Sequence, residues 1–459
     1  MLSGANNNGP TLIAGGRVID PANGVDAVAD VLVSDGVVRE VAEQIVAGSL
    51  GDHVRVIDAT GLVVSPGFID IHAHLREPGY EYKETIATGA AAAARGGFTT
   101  ICAMPNTDPA VDNEAVVELV NRRAADAAVR VRVIGCVSRN RAGRELADME
   151  ELASAGVVAF SDDGDPVYDA GLMRLALTYS RDLGAPISNH CQDHGLCCGG
   201  VMAEGWVSSR LGLPGIPAVA EEAMVARDIA LAELTGGRLH LAHLSSAGSV
   251  SMVREAKERG ILVTAEVCPH HLWLTDEWAL GGKGDAEATG AMAYDTSTKV
   301  YPPLRSHVDV AACLAGLADG TIDCVATDHA PHELASKECT YNDAAFGISV
   351  LETALGTLMA PVRRGSIDLN TMIHRLTVGP ARVLGDAFAP YASLATGTPA
   401  DLVIFDPNAR WTVDVNKFAS MGRNTPLDGV ELQGQVAATM VAGRIAFEEE
   451  TLLKQGAHA

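Results

Sequence analysis

No cluster of Lys and Arg long enough to track a phosphate backbone interrupts the acidic excess of this chain, in which 58 Asp and Glu stand against 34 Lys and Arg for a net charge of -24. That balance excludes nucleic acid as a partner. No run stays apolar for the roughly 20 residues that a membrane span needs. The opening MLSGANNNGP has no basic segment followed by an apolar core, so no secretory leader is expected and the cytoplasm is the expected compartment. The nine cysteines contain no CxxC pair, and their odd number, scattered at Cys102, Cys136, Cys191 and elsewhere, excludes a disulfide framework in favour of reduced thiols. Fixed-period repeats and low-complexity tracts are also missing; the run Ala90 to Ala94 reflects helix propensity and close packing. What remains is a globular chain of 459 residues, 47% hydrophobic and 20% charged, long enough for a large core and a second domain.

The rhythm of apolar residues divides that length. Residues 1–66 read as short strands and turns, TLIAGGRVI, ADVLVSDGVVREV and VRVIDATGLVVSPG. From Gly67 the pattern becomes apolar strand, loop, Ala-rich helix, as in ETIATGAAAAARGG before FTTICAMPN, where Gly96 and Gly97 can stop the helix. This alternation runs to Gly385. Residues 67–385 therefore suit eight βα units closed into a parallel α/β barrel of the TIM type, with functional groups at the C-terminal ends of its strands. A doubly wound sheet fits less well, because its ligands would gather at one switch point. Residues 386–459 return to short strands, TGTPADLVIFDP, RWTVDV and GQVAATMVAGRIAFEEE, which can pair with residues 1–66 into one small discontinuous β domain built from both chain ends.

Six metal-capable side chains end separate apolar runs. His72 and His74 in FIDIHAHLREPG share one side of a strand, with Ala73 turned away. Asp163 follows GVVAF, His190 follows APIS, His243 follows RLHLA and Asp328 follows IDCVA. One His-x-His pair alone is as well explained by structure, but six such positions together describe a buried metal site. Imidazole and carboxylate suit Zn2+, with Mn2+ or Co2+ as substitutes, and six ligands exceed what one tetrahedral ion uses, so two ions are expected. A hydroxide between two cations is a nucleophile at neutral pH, which points to hydrolysis.

The motifs PGFIDIHAHLREPG, KETIATGAAAAARGGFTTICAMPNT, VAFSDDG, TAEVCPHHL, YPPLRS and ATDHAPH resemble the class I dihydroorotases of the cyclic amidohydrolase superfamily, over nearly the whole chain. PGFIDIHAH alone would indicate only the wider superfamily of hydantoinases and allantoinases; HLREPG, MPNT and ATDHAPH are more specific. The resemblance implies a zinc enzyme that interconverts N-carbamoyl-L-aspartate and L-dihydroorotate, with His72, His74 and Asp328 on one ion, His190 and His243 on the other, Asp163 bridging and Asp328 moving the proton. It implies substrate contacts from Arg76, Asn106 and His332, and from Phe346 and Gly347 in AAFGISVLET. It further implies a homo-oligomer and a possible complex with aspartate carbamoyltransferase. VVAFSDDG has no lysine, so the carbamylated lysine bridge of hydantoinases is not expected; Asp162 is expected to support Asp163 rather than share its role.

Against the motif, Arg76 could be a surface residue paired with Glu77. His270 and His271 read as supporting residues, and His194, Cys197 and Cys198 as structural or exposed. The chain departs from the family at Tyr301, where KVYPPLR replaces an asparagine before the double proline and leaves the substrate geometry open. Allantoinase or hydantoinase activity is the enzymatic alternative. A non-catalytic scaffold for aspartate carbamoyltransferase is the alternative from another class, and it conflicts with six intact ligand positions.

Overall fold

The computed structural model describes residues 9–46, 54–281 and 292–456; the first eight residues, where a leader would begin, lie outside them. Eight strands form a parallel sheet in chain order: β1 Phe68–Ala73, β2 Phe98–Ala103, β3 Arg130–Gly135, β4 Ala159–Phe160, β5 Ile187–Asn189, β6 Leu239–Leu241, β7 Val263–Val267 and β8 Cys324–Val325. Just past β8 and at the end of β1 the sheet meets itself. Asp328 N donates to His72 O at 3.0 Å and His74 N to His329 O at 2.9 Å, with a parallel bridge between Ala73 and His329. Asp70 strengthens this seam by accepting from Thr327 N at 2.9 Å and from His72 N at 3.2 Å. The closure brings Asp328 to His72 and His74, about 255 positions away in sequence, as the apolar-run pattern anticipated.

The two chain ends pair into one sheet, as expected, mostly antiparallel but with parallel pairs at the N-terminal strand. Val63–Pro66 pairs with Leu402–Phe405 on one side and, in parallel, with the N-terminal strand Thr11–Asp20 on the other. Strand alternation decides which core each residue enters. Val403 and Phe405 face the barrel core with Phe68 and Phe98, whereas Leu402 and Ile404 pack with Ile13, Val18 and Val31 on the outer face. The Phe68 ring meets Phe98 at 5.7 Å and Phe405 at 6.2 Å between centroids, and each such buried ring contributes about 1.5–3 kcal/mol.

The helix of the Ala-rich run spans Ile86–Arg95, is capped by Thr85 with Thr88, and buries Ala90, Ala92, Ala93 and Ala94. Small side chains let it sit close to the terminal sheet, where Thr439 Oγ1 donates to Ala94 O at 2.6 Å. Gly96 and Gly97 end it as expected: a Cβ on Gly96 would lie 2.2 Å from Leu351 O, and Gly97 has φ +88. Two details differ from the sequence reading. LVIFDP and RWT are one strand, Leu402–Thr412, because Pro407 falls in a register shift between Asp406 and Arg410. Asp406 Oδ1 caps that bulge, accepting from Asn408 N and Ala409 N, so the strand bends without ending. A closing helix, Glu450–Gly456, was not anticipated.

None of the cysteines is disulfide-bonded. Among the described residues, no helix is long and apolar enough to cross a membrane.

Candidate active site

Asp163, just past β4, lies between two pairs of histidines. Its Oδ2 is 3.4 Å from both His72 Nε2 and His74 Nε2, and its Oδ1 is 3.4 Å from both His190 Nδ1 and His243 Nε2. Asp328 Oδ1 approaches the first pair only, at 3.0 Å from His74 Nε2 and 3.5 Å from His72 Nε2. All six residues are buried. The structure therefore brings together every one of the six residues picked from the ends of apolar runs.

Backbone strain accompanies this convergence. Arg76, His243 and Asp328 adopt positive φ of 61, 33 and 46. Such conformations cost a non-glycine residue about 1–3 kcal/mol each, and they persist where surrounding structure enforces them.

The proton inventory tests whether cations fit. An ionised carboxylate and an amide oxygen can only accept, so His72 Nδ1–H donates to Glu266 Oε1 at 2.6 Å and His74 Nδ1–H to Asn106 Oδ1 at 2.8 Å. Both Nε2 lone pairs then point at carboxylate oxygens. His190 Nδ1 and His243 Nε2 face each other at 2.8 Å, and His72 Nε2 and Asp163 Oδ1 are buried without a hydrogen bond among the described residues. Converging lone pairs repel unless a proton or cation lies between them, and a divalent cation at each histidine pair would relieve that repulsion, so the residues fit such ions. Without an ion, protons take that place. Burial opposes charge on His72, yet Asp163 and Glu266 raise its pKa well above the ordinary histidine value. Burial also opposes ionisation of Asp163 and Asp328, but the surrounding histidines hold both carboxyls below their usual range. His74 and His190 are lowered, burial being the main cause.

Next to the carboxylates is a cationic and donor-rich wall. Arg76 does not pair with Glu77, whose carboxylate instead accepts from Ile86 N and faces Arg123. Its Nε donates to Pro331 O at 3.3 Å, and burial of the guanidinium lowers its pKa to about 10. His332 stands beside it, with Nε2 2.8 Å from Phe346 O and 3.4 Å from Arg76 Nη2. The shorter contact decides the tautomer: Nε2–H donates to the carbonyl, and Nδ1 is left as a buried acceptor without a partner among the described residues. Burial, followed by Arg76, Lys83 and Lys337, lowers His332 to about 2, so it is neutral. A Cβ on Gly347 would lie 2.7 Å from Ala330 O, and its φ is +142, so only glycine fits there without strain. Lys299 Nζ stands 4.4 Å from the centre of the Phe346 ring. Tyr301 fills the space between the two halves of the site, its ring 4.9 Å from His190 and 5.2 Å from Phe346, while its hydroxyl meets Cys197 Sγ at 2.9 Å.

Asp162 points away from the histidines and accepts from Val137 N and Ser138 N, both at 3.0 Å. His194 and Cys198 are exposed, whereas Cys197 is buried against Tyr301. Sequence reasoning passed over Glu266 and His240. Glu266 holds His72 by one oxygen and His240 Nε2 by the other, at 3.1 Å, and its pKa is lowered to about 2: burial opposes, and His72 and His240 prevail. The signal was present as a lone acid inside the apolar strand VTAEV, a position that needs a buried partner.

A parallel barrel with this histidine and aspartate set at its strand ends, flanked by a sheet from both chain ends, defines the class of the cyclic amidohydrolases. In agreement, the solved L-hydantoinase (dihydropyrimidinase) from Arthrobacter aurescens shares the fold with a TM-score of 0.83 over 95% of this chain and 96% of its own, at 25% sequence identity. The Dihydro-orotase-like family model matches residues 61–249. Dihydroorotase from Anaeromyxobacter sp. (strain K) is 52% identical over 95% of this chain and 98% of its own length, and dihydroorotase from Pelotomaculum thermopropionicum is 51% identical over 96% and 99%. The chain belongs to the dihydroorotase family.

Proposed function

We propose that the chain catalyses the reversible cyclisation of N-carbamoyl-L-aspartate to L-dihydroorotate and water, the ring-closing step of de novo pyrimidine (UMP) synthesis in the cytoplasm, with two Zn2+ per subunit. The observation that carries this reading is Asp163, with one oxygen against each histidine pair; identity near 50% to dihydroorotases over almost the whole chain supports the substrate. His72, His74 and Asp328 would hold one ion, His190 and His243 the other, and Asp163 would bridge them. When bound, such ions polarise the reacting carbonyl and lower the pKa of water.

The protein's own groups do the rest. In the hydrolytic direction Asp328 accepts a proton from the attacking water, whose oxygen bonds to the ring carbonyl carbon. The ring C–N bond then breaks, and Asp328 returns the proton to the departing nitrogen. Ring closure uses the same carboxylate in reverse. Arg76 binds the substrate carboxylate with its Nη groups, a fork that a chain of net charge -24 needs because it offers no general attraction to an anion. His332 presents Nδ1 as an acceptor to a ring N–H. Asn106 fixes His74 and lines the carboxylate pocket, and the backbone of Phe346 and Gly347 borders the ring. Residues 67–385 form the catalytic barrel in this reading, with 1–66 and 386–459 as one flanking domain. Homo-oligomerisation and binding to aspartate carbamoyltransferase rest on the family resemblance.

Tyr301 against His190 is the observation that favours a neutral ring substrate, as in a hydantoinase or allantoinase, since its ring occupies space where a smaller amide is usual. Turnover of L-dihydroorotate against allantoin and hydantoin separates the two readings.

A further inference from the structure

A second group of metal-capable side chains lies where β7 ends. Cys268 caps the short turn Pro269–Leu272, and Cys268, His270 and His271 each offer one ligand atom, all within 4.8 Å of one another. Their exposures are 0%, 3% and 2%. His271 Nε2–H donates to Pro302 O at 3.1 Å, which leaves Nδ1 as a bare lone pair; among the described residues nothing donates to it. Metal-ligating imidazoles have this arrangement, one nitrogen fixed by a backbone carbonyl and the other turned to the ion. Both ring nitrogens of His270 are likewise buried without a partner among the described residues. The other cysteine-containing cluster, His240, Glu266 and Cys324, makes no such demand. There His240 bonds Thr264 Oγ1 at 2.9 Å and Glu266 at 3.1 Å, and Glu266 also holds His72.

We propose that Cys268, His270 and His271 form a third metal site, separate from the histidine and aspartate constellation, that takes one ion of the Zn2+ type. One thiolate and two imidazoles make a borderline-soft donor set, which selects such an ion over Mg2+ or Ca2+. As the sulfur–metal bond forms, the Cys268 proton passes to solvent. The ion's role is structural. It would fix the turn Pro269–Leu272 and with it His271, whose Nε2–H holds Pro302 O next to Tyr301, the residue that packs against His190. The inference is independent of which cyclic amide the enzyme takes.

Cobalt tests it, because the six residues of the main site contain no sulfur. The full-length protein is stripped by chelation, loaded with Co2+, and followed by metal analysis and near-ultraviolet absorption. The wild type should show a sulfur-to-cobalt charge-transfer band and hold one more ion per chain than Cys268→Ser, which should lack the band. His271→Gln should also lose that ion while melting cooperatively. Cys324→Ser and the doubly substituted Cys198→Ser, Cys339→Ser protein should keep the band, the last two being the exposed thiols. A wild type without the band overturns the proposal, as does a band that survives Cys268→Ser or disappears with the exposed thiols. Two nitrogen- and oxygen-bound ions with no band would remove this site and leave the catalytic reading standing.

Discussion

Glu266 lies outside the six-residue constellation, yet the structure gives it control over His72. Its carboxylate accepts from three buried donors: His72 Nδ1 at 2.6 Å, His240 Nε2 at 3.1 Å and His243 N at 3.2 Å. Glu266→Gln keeps an acceptor for His72 but removes the charge that makes Nε2 a stronger donor to an ion. Glu266→Ala removes the acceptor for all three, and each buried donor left unpaired costs about 1–3 kcal/mol. Outer partners of metal-bound histidines typically control affinity by about 10–100-fold, or about 1.4–2.7 kcal/mol at 1.36 kcal/mol per decade. We therefore expect Glu266→Gln to weaken the ion at His72 by about tenfold and Glu266→Ala by about a hundredfold, with kcat falling in the same order. Competition with a chelator, read by metal analysis, measures this. The carboxyl also makes a pH-dependent contribution in metal-free protein. Its folded pKa of about 2 lies below the ordinary 4.5, so its stabilisation is complete above the higher value and is lost as pH falls through the lower one. Acid melts of the metal-free glutamine variant should lack that loss. An alanine variant with wild-type metal affinity and kcat would refute the reasoning.

Further expectations concern the remaining groups. Arg76→Lys keeps the charge but loses the fork, and kcat/KM for dihydroorotate should fall about tenfold or more, equivalent to about 1.4 kcal/mol; unchanged kinetics would exclude the contact. Asp163→Ala should lose most activity together with bound metal. Asp162→Ala should keep both ions and instead lower the melting temperature, because Val137 N and Ser138 N lose their acceptor. Activity restored with Zn2+ after chelation should not require bicarbonate, since the group between the two histidine pairs is the carboxylate of Asp163 and not a lysine; dependence on bicarbonate would reject Asp163 as the bridge. Ring closure consumes a proton, so the equilibrium should move toward dihydroorotate about tenfold per pH unit lowered, and a ratio constant between about pH 6 and 8 would reveal different chemistry.

Those parts of the molecule that follow from local rules are legible in the amino-acid sequence. Period-two alternation in FIDIHAH puts His72 and His74 on one side, and the return to short strands after Gly385 allows Leu402–Phe405 to pair with Val63–Pro66. Other features depend on contacts that no local pattern records. Pro407 reads as a strand end but lies in a bulge that Asp406 caps. Glu266, alone in the apolar run VTAEV, signals a buried partner, but that the partners are His72 and His240 depends on where β7 sets it. The partition of Asp163, one oxygen to each histidine pair, needs the barrel to close. Tyr301 stands out as a departure from the family motif, but its packing between His190 and Phe346 depends on where the Pro302 segment runs.

Initial rates of ring opening by the Zn2+-loaded protein, measured side by side on L-dihydroorotate, allantoin and hydantoin, test the central claim most directly. The account predicts rapid opening of dihydroorotate and far slower turnover of the other two, which lack the carboxylate that Arg76 addresses. Equal or faster turnover of allantoin or hydantoin would contradict it.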